Sequence, residues 1–451
     1  MSHTVIFDIG KTNKKCFVFD KELREVHRSY RQIPEAKDPQ GFPCEDRQAL
    51  ESWMWEALEA ACSQYAVSKL NFSTYGASLV HLNDRGSAIT PIYNYLKPFP
   101  ESLKKQFWKS FGPASEWCRA TASPALGMLN ASWQLYWLKH QNSETFAQIR
   151  TSLHLPQYVS YLFSGKTYSD FTSVGCHTGL WDFDKETYHD WITESGLRPL
   201  FPQIVASTHS IPTRLFGQNI EVGVGIHDSS AALLPYLQAQ QEPFMLISTG
   251  TWSITLNPFC RSPLTLEELE SDCLHYLGIH GQPVKASRLF LGQEFKIQVK
   301  KLHEQFDLEY GVHRQMHLNA KWVQQYQSKD AVFSWEFLPH QPQYQENEAT
   351  VDFPCFEAAY HKLVMELTDL QVRSVRSAQG ATKIRHIFVD GGFVDNDLYL
   401  KLLALKMPDM TITAIRSPLG SALGAAWVMG NHKPEHLSHH LTLSPIQVPV
   451  L

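Results

Sequence analysis

Four residues at the end of a predicted strand form the sharpest chemical feature of the sequence: Gly225-Ile226-His227-Asp228. An apolar run ends at this histidine and aspartate, and the alanine- and leucine-rich stretch that follows predicts a helix. A partly exposed carboxylate at a helix start is suited to accept a proton from a hydroxyl group. Asp228 can instead cap the helix, which is the commoner role of aspartate there, and these residues alone favour the cap.

Two segments far apart in the chain share the pattern of an apolar strand, a small polar turn and a second strand. Residues 5–20 turn at Gly10-Lys11-Thr12-Asn13, and residues 244–256 turn at Gly250-Thr251. Each turn offers backbone N–H groups and hydroxyls to phosphate oxygens, and glycine allows close backbone approach. Glycine/threonine turns are common enough for one similar pair to arise by chance. Facing each other across a cleft, the two hairpins would form a phosphate-binding device.

Charged residues flank the first turn. Asp8, at the end of the first strand, is suited to hold a Mg²⁺ ion beside phosphate groups, directly or through water. Lys11, Lys14 and Lys15 add positive charge at the turn itself. The sequence contains no Gly-x-x-x-x-Gly-Lys-Ser/Thr motif, so a P-loop is excluded.

Other glycines and histidines leave two interpretations open. Gly391-Gly392, with Asn396 four residues on, can let a nucleotide base or ribose lie against backbone, or can form a simple turn. Gly420 and Gly424 can serve close helix packing without any ligand. Four histidines near the C-terminal end could bind a metal, but they lack cysteine or carboxylate support, which favours a solvated surface; they are His432, His436, His439 and His440.

The predicted elements mix strands and helices, which is typical of an α/β protein. Helical periodicity runs over residues 50–65, 132–140, 158–163 and 356–376, and strands are predicted at 220–226 and 387–389. Between 211 and 219 the composition turns to proline, glycine and polar residues. We therefore predict two domains, residues 1–216 and residues 217–451.

Composition narrows the function classes. The chain has 451 residues, is 43% hydrophobic and 19% charged, and carries 40 basic against 45 acidic residues for a net charge of −5. This argues against disorder and coiled coils, and it provides no global field for nucleic acid or an anionic membrane. We expect a small-molecule partner, with neither nucleic acid nor membrane.

The cellular compartment is predicted from cysteine usage and the first residues. The eight cysteines are scattered without a Cys-x-x-Cys pair, which is typical of reduced thiols in the cytoplasm. Asp8 interrupts the place where a signal peptide needs its apolar core, and no apolar run is long enough to span a membrane. We expect a cytoplasmic protein.

Taken in order, these and further segments resemble the FGGY carbohydrate kinase family, within the superfamily of sugar kinases, Hsp70 and actin. The resemblance runs over essentially the whole chain. The segments around Asp8 and Gly250 are similar to its two phosphate motifs, and 390–396 to its adenosine motif. Four other segments carry the rest: Ser73-Thr74-Tyr75-Gly76, Pro156-Gln157-Tyr158, Asp170-Phe171-Thr172-Ser173 and Gly225-Ile226-His227-Asp228.

The resemblance implies two RNase H-like, actin-like ATPase domains flanking a central cleft. It implies an ATP- and Mg²⁺-dependent sugar kinase in which Asp228 is the catalytic base, which reverses the preference for a cap. The sugar would contact Tyr75, Gly76, His227 and Asp228. ATP would contact Lys11, Thr12, Asn13, Lys15, Gly250, Thr251, Gly391, Gly392 and Asn396, with Asp8 on the metal. Family members are often dimers, so a homodimer stays open.

The chain departs from the family pattern mostly at the sugar end. Lys11 stands where a small residue is usual, Gln157 replaces an aspartate, and the Asn-Glu-Gly-Gly segment of rhamnulokinases is absent. The Gly-Thr-Trp-Ser match favours a ketose such as L-rhamnulose or L-fuculose, and a pentulose, polyol or sugar acid stays open. A nucleotide switch or non-catalytic sugar sensor is the alternative from another class.

Overall fold

The computed structural model describes residues 2–11, 13–240, 242–327, 331–338, 352–416, 419–430, 432–433, 435–438 and 440–449. Thr12, predicted to bind ATP, and His439 of the terminal histidines lie outside the described residues. The strands are β1 (His3–Ile9), β2 (Lys14–Phe19), β3 (Glu25–Arg31), β4 (Ala36–Lys37), β5 (Pro43–Cys44), β6 (Val67–Thr74), β7 (Leu79–Leu82), β8 (Thr151–His154), β9 (Ser169–Asp170), β10 (Trp181–Asp182), β11 (Thr187–Tyr188), β12 (Ile204–Val205), β13 (Ser210–Leu215), β14 (Gln218–Gly223), β15 (Ile226–His227), β16 (Phe244–Thr249), β17 (Ser253–Asn257), β18 (Cys273–Leu277), β19 (Pro283–Leu289), β20 (His386–Gly391), β21 (Thr411–Arg416) and β22 (Thr442–Pro445).

The predicted helices are confirmed with small shifts at their ends. The helices are α1 (Arg47–Gln64), α2 (Glu101–Phe111), α3 (Ala114–Ala120), α4 (Ala131–Gln141), α5 (Ser143–Gln148), α6 (Leu155–Ser164), α7 (Phe171–Val174), α8 (Asp190–Glu194), α9 (Asp228–Ala239), α10 (Leu266–Glu270), α11 (Leu291–Gln305), α12 (Ala320–Tyr326), α13 (Phe356–Gln379), α14 (Asp397–Lys406), α15 (Gly420–Trp427) and α16 (Glu435–Ser438). Within the described residues, no helix combines the length and the apolar character needed to cross a bilayer.

Two seven-stranded sheets repeat one strand order. In the first sheet β3, β2 and β1 are antiparallel neighbours, and β6 and β14 continue it in parallel with β1. In the second sheet β19, β17 and β16 are antiparallel, and β20 and β21 continue in parallel with β16. The two predicted hairpins, β1–β2 and β16–β17, therefore hold equivalent places. The repeat confirms an α/β fold of two RNase H-like domains.

The first sheet extends past the domain boundary that we predicted between residues 216 and 217. Strand β14 pairs with β13 and β6, and β15 pairs with β6, so the chain stays in the first sheet until His227. The polar stretch at 211–219 is the turn of the β13–β14 hairpin rather than a linker. The change of domain comes after this strand, along α9.

Helices α9 and α15 pack together where the domains join. Gly424 in α15 lies so close to α9 that an added Cβ would stand 1.9 Å from the carbonyl oxygen of Ala231. The pair also covers the first sheet, because Asn71 of β6 donates from Nδ2 to the carbonyl of Ala425 at 2.9 Å. Close packing is confirmed for Gly424, whereas Gly420 has no atom within 4 Å of such a Cβ.

The hairpin β18–β19 of the second sheet provides another contact between the domains. Leu277 packs in the hydrophobic cluster of the first domain, and a Cβ on Gly175 would stand 2.3 Å from its side chain. The backbone N–H of Ser207 donates to the carbonyl of Ile279 at 3.2 Å. The end of this hairpin thus lies against the first domain.

Candidate active site

A buried lysine, Lys14, holds the backbone of the first hairpin turn. The N–H of Gly10 donates to the carbonyl of Asn13 at 2.9 Å, which closes the turn. Lys14 is 1% exposed, and its ammonium group donates to the carbonyls of Gly10 and Lys11 at 3.1 and 3.0 Å. Glu45 Oε2 balances that charge at 2.9 Å. The backbone of the turn is therefore held in place before any ligand arrives.

Lys11, predicted to bind ATP, is engaged by two carboxylates. Its Nζ lies 3.0 Å from Glu35 and 3.0 Å from Glu45. Burial lowers the pKa of Lys11, but the hydrogen bond to Glu35 and the charge of Glu45 outweigh it and raise the pKa overall. Burial raises the pKa of Tyr95. The charges of Asp228, Glu45 and Glu35 add to this rise, and the charge of Lys11 opposes it. Lys11 stands where the family usually has a small residue. Its contacts with Glu35 and Glu45 therefore link the first turn to the side of the site on which Tyr95 lies.

Asp8 lies between side chains of both domains. Its Oδ1 accepts from the hydroxyl of Ser421 on α15 at 2.8 Å, and its Oδ2 lies 3.4 Å from the ammonium of Lys15. Burial raises the pKa of Asp8, Lys15 and Ser421 oppose this, and the nearby charge of Asp228 raises it further. The predicted metal ligand and the predicted base are therefore electrostatic neighbours.

The second hairpin turn lies against the start of α11. The N–H of Gly250 donates to the carbonyl of Trp252 at 2.7 Å, and the N–H of Gln293 donates to the carbonyl of Thr251 at 3.1 Å. A Cβ on Gly292 would stand 1.8 Å from the Gly250 oxygen, so only glycine fits there. This second turn, which is predicted to bind phosphate, therefore packs closely against the start of α11.

The segment predicted to contact adenosine follows β20. Gly391 has φ of +90°, and a Cβ there would stand 1.8 Å from the carbonyl oxygen of Thr249, whereas Gly392 faces open space. Asn396 caps α14 through Tyr399 N and donates to the Tyr360 hydroxyl at 3.0 Å. Its side chain is therefore already in structural contacts, and its part in ATP binding stays a prediction.

Asp228 is the first residue of α9, and His227 holds the capping position. The side chain of Asp228 is 36% exposed and bonds locally, its Oδ1 accepting from the N–H of Ser229 at 2.6 Å. His227 Nε2 lies 3.3 Å from the same oxygen and 3.3 Å from Cys176 Sγ. The Asp228 carboxylate thus accepts a hydrogen bond from an N–H of the first turn of α9 and also keeps access to solvent, and its part as the catalytic base stays a prediction.

A buried polar network holds the strand end that leads to Asp228. The N–H of His227 donates to Thr172 Oγ1 at 3.0 Å, and Thr172 donates in turn to the fully buried Asp170. Gln157 Nε2 reaches Asp170, Val224 O and Gly225 O, each at 3.2 Å. Gln157, another departure from the family pattern, therefore acts as a donor that fixes backbone.

Two of the four residues predicted to contact sugar, Tyr75 and Gly76, lie near Glu45 and His227. A Cβ on Gly76 would stand 3.1 Å from the His227 ring, so glycine permits that ring position. Tyr75 is 8% exposed; burial raises its pKa well above the usual value, and Glu45 adds to the rise. The structure therefore brings Tyr75, Gly76, His227 and Asp228 into one neighbourhood.

Sequence reasoning missed several residues of this site: Glu35, Glu45, Cys176 and Ser421. None stands in a recognisable pattern, because each reaches the site from a segment far along the chain. The eight cysteines, all in the described part, form no disulfide. No group of three or more metal-binding side chains occurs among the described residues, which include His432, His436 and His440.

Two RNase H-like domains with matched hairpins and a carboxylate at their junction define an actin-like fold. Residues 3–234 match the model of the FGGY family of carbohydrate kinases, N-terminal domain, and residues 241–437 match carbohydrate kinase FGGY, C-terminal domain. The chain belongs to the FGGY family of carbohydrate kinases.

Among curated relatives, a rhamnulokinase of Halalkalibacterium halodurans is 24% identical over 56% of this chain and 56% of its own length. A rhamnulokinase of Klebsiella pneumoniae is 25% identical over 56% of this chain and 53% of its own. The chain thus spans about half the length of the curated relatives it matches.

Two solved structures share the fold over nearly the whole chain. A carbohydrate kinase from Novosphingobium aromaticivorans superposes with a TM-score of 0.76 and 21% identity, covering 98% of this chain and 96% of that one. A xylulose kinase from Lactobacillus acidophilus gives 0.76 and 15%, covering 98% and 93%. At these identities the likeness establishes the fold alone.

Proposed function

We propose that the protein transfers the γ-phosphoryl group of ATP to a hydroxyl group of a small sugar, with Asp228 as the general base. Membership in a carbohydrate kinase family supports the reaction class. One observation carries the assignment of residues. Asp8 of the first hairpin accepts a hydrogen bond from Ser421 of the second domain, and the charge of Asp228 adds to the rise in the pKa of Asp8 that burial causes. Hairpin, base and opposite domain therefore meet at one point.

The chemistry of the site follows from this meeting. Asp228 takes the proton of the acceptor hydroxyl as its oxygen attacks the γ-phosphorus. The N–H groups of the two turns, with Lys15, bind the phosphate oxygens, and positioning supplies most of the acceleration in phosphoryl transfer. Closure of the domains keeps water from competing as the acceptor.

The residues present fit a Mg²⁺ ion. Asp8 offers a hard carboxylate oxygen, and Mg²⁺ commonly uses one or two carboxylates together with substrate phosphates and water. Burial raises the pKa of Asp8 and the charge of Asp228 adds to the rise, so a bound cation would favour the ionised form of this carboxylate. When bound, the ion neutralises charge on the phosphates.

The acceptor is proposed to be a neutral ketose. The charges that act on Tyr95 are those of three carboxylates, Asp228, Glu35 and Glu45, and of one ammonium group, Lys11, which Glu35 and Glu45 also contact. A sugar acid would add a negative charge to this net negative corner. The names of the relatives support L-rhamnulose or the similar L-fuculose, and the fold neighbours keep xylulose as the next candidate.

A nucleotide switch that never transfers phosphate is the second candidate. Asp228 argues against it, because a switch has no need of a proton acceptor between the domains. A homodimer and a cytoplasmic location remain predictions.

The test is ADP release from ATP and Mg²⁺ with a panel of acceptors: L-rhamnulose, L-fuculose, D-xylulose, L-ribulose, glycerol and gluconate. We expect one ketose to raise the rate well above the sugar-free rate. Asp228→Asn should keep nucleotide affinity and lose at least about a hundredfold in turnover, the scale of a lost general base.

Asp409→Asn is the matched control, since Asp409 is exposed, pairs with Arg376 and precedes β21 at the opposite end of the second sheet from the Gly250 turn. It should leave turnover unchanged. ADP release that is indifferent to every acceptor would favour the switch, and normal turnover in Asp228→Asn would remove this residue from the mechanism.

A further inference from the structure

Arg288 stands at the end of β19 that adjoins the second hairpin turn. It pairs with Ile254 of β17, close to the turn at Gly250 and Thr251. Ala286 lies on the same face of β19, because side chains alternate along a strand, and it packs in the cluster that includes Leu233 of α9. Arg288 therefore belongs to the sheet face that covers α9, the helix that begins at Asp228.

Its guanidinium group lies between the second hairpin and the neighbourhood of the base. The guanidinium carbon is 5.4 Å from the ring centre of Trp252, the residue after Thr251. On the other side lie Cys176 and Tyr276. Burial raises the pKa of each, the charge of Asp228 adds to the rise, and the charge of Arg288 opposes it. Arg288 and Asp228 thus approach the same pair of residues from opposite domains.

The hydrogen-bonding capacity of this arginine is not exhausted. The side chain is 6% exposed, and one terminal nitrogen donates to Asp272 Oδ1 at 2.7 Å. Its Nε is buried and has no partner among the described residues. A buried donor left unpaired is costly, so such groups in native proteins usually await a ligand or water. The planar guanidinium group of arginine carries a positive charge and can donate two parallel hydrogen bonds to the oxygens of a phosphate group.

We propose that Arg288 is a further catalytic residue that contacts the transferred phosphoryl group. This rests on the proposed kinase function. In the transfer, the acceptor oxygen forms a bond to the γ-phosphorus, the bond from that phosphorus to the β,γ-bridging oxygen breaks, the hydroxyl proton goes to Asp228, and ADP leaves. Arg288 stabilises the negative charge on the phosphoryl oxygens during this exchange.

The experiment compares binding of ADP–Mg²⁺ with binding of ADP–Mg²⁺ plus aluminium fluoride, which mimics the phosphoryl group in flight, and needs no knowledge of the acceptor. Arg288→Gln should keep ADP affinity within about threefold and weaken the aluminium fluoride complex on the order of a hundredfold, the scale of losing one transition-state donor. Arg376→Gln, an exposed arginine paired with Asp409, is the control and should change neither.

Arg288→Lys keeps the buried charge and decides the matter if the glutamine variant does not fold. It lacks the fork, so its aluminium fluoride complex should weaken at least about tenfold. An unchanged complex in Arg288→Lys, or equal losses with and without aluminium fluoride, would overturn the role of Arg288. A wild-type protein that binds neither complex would instead refute the kinase function, and Arg288 with it.

Discussion

At the scale of single residues, Asp228 depends on side chains that need not touch a ligand. Thr172 and Gln157 hold the backbone of residues 224–227 through hydrogen bonds of 3.0 to 3.2 Å. Gly225 has φ of +82°, and a Cβ there would stand 2.5 Å from the carbonyl oxygen of Pro156. Motifs that carry the family resemblance thus hold the backbone that leads to Asp228, the proposed base.

Thr172→Val tests this aiming. The change leaves the N–H of His227 without its acceptor, which costs about 1–3 kcal/mol for a buried group. Because a small displacement of a catalytic group is expensive, kcat should fall about tenfold to a hundredfold while the KM for ATP stays constant. Thr368→Val, which removes a buried hydroxyl bond inside α13, is the control and should affect stability alone. Equal kcat in both variants would refute the positioning role.

Buried histidines predict how stability responds to acid. Burial lowers the pKa of His81 to about 3, against about 6.5 when unfolded. Below pH 6.5 the unfolded chain binds a proton that the folded chain refuses, so stability is intact above this pH and is lost as pH falls. Between pH 6.5 and 5 the loss is about 2 kcal/mol for this histidine.

Urea unfolding of His81→Gln at pH 7 and pH 5 measures the effect. The variant should lose about 2 kcal/mol less than the wild type over this interval. His280→Gln, at an exposed position, should follow the wild-type slope. A wild-type slope in His81→Gln would contradict the assigned burial.

How well individual residues were predicted depended on distance along the chain. Asp8 and Gly250 were recognisable because turn chemistry is local. The contacts of Lys11 with Glu35 and Glu45 were not predictable, because nothing in its own segment indicates these carboxylates, and its part in ATP binding stays a prediction. Arg288 was missed for the same reason, since Trp252 and Asp272 lie elsewhere in the sequence.

At the scale of elements, the contact between α9 and α15 links Asp228, the proposed base, to Asp8, the proposed metal ligand. Helix α9 begins with Asp228, and α15 carries Ser421, which donates to Asp8. Gly424 sets their distance, because a Cβ would stand 1.9 Å from the carbonyl oxygen of Ala231. The spacing of the two helices therefore controls the relation between Asp8 and Asp228.

Gly424→Ala should force these helices apart. Overpacking against backbone costs about 3 kcal/mol or more, and turnover should fall with it. Gly420→Ala, on the same helix with open space around it, should be neutral or stabilise by up to about 1 kcal/mol. Thermal unfolding and ADP release measure both variants. Equal stability of the two would show that the helices do not fix this distance.

At the scale of the whole molecule, the two related domains were predictable from the family resemblance, to which the two hairpins contribute, but the domain boundary was not. A turn rich in proline and glycine looks the same within a hairpin as between domains. Only the pairing of β14 with β6 shows that the chain returns to the first sheet. Long-range strand pairing of this kind leaves no local pattern.

The central claim is that both domains meet on one ATP molecule and pass its terminal phosphoryl group to a sugar. The most direct measurement follows the label of γ-³²P-ATP after incubation with the ketose that most accelerates ADP release. We predict that the label appears in a sugar phosphate ester with wild-type protein and is absent from sugar with Asp228→Asn. Label found only in inorganic phosphate, whichever sugar is present, would contradict the account.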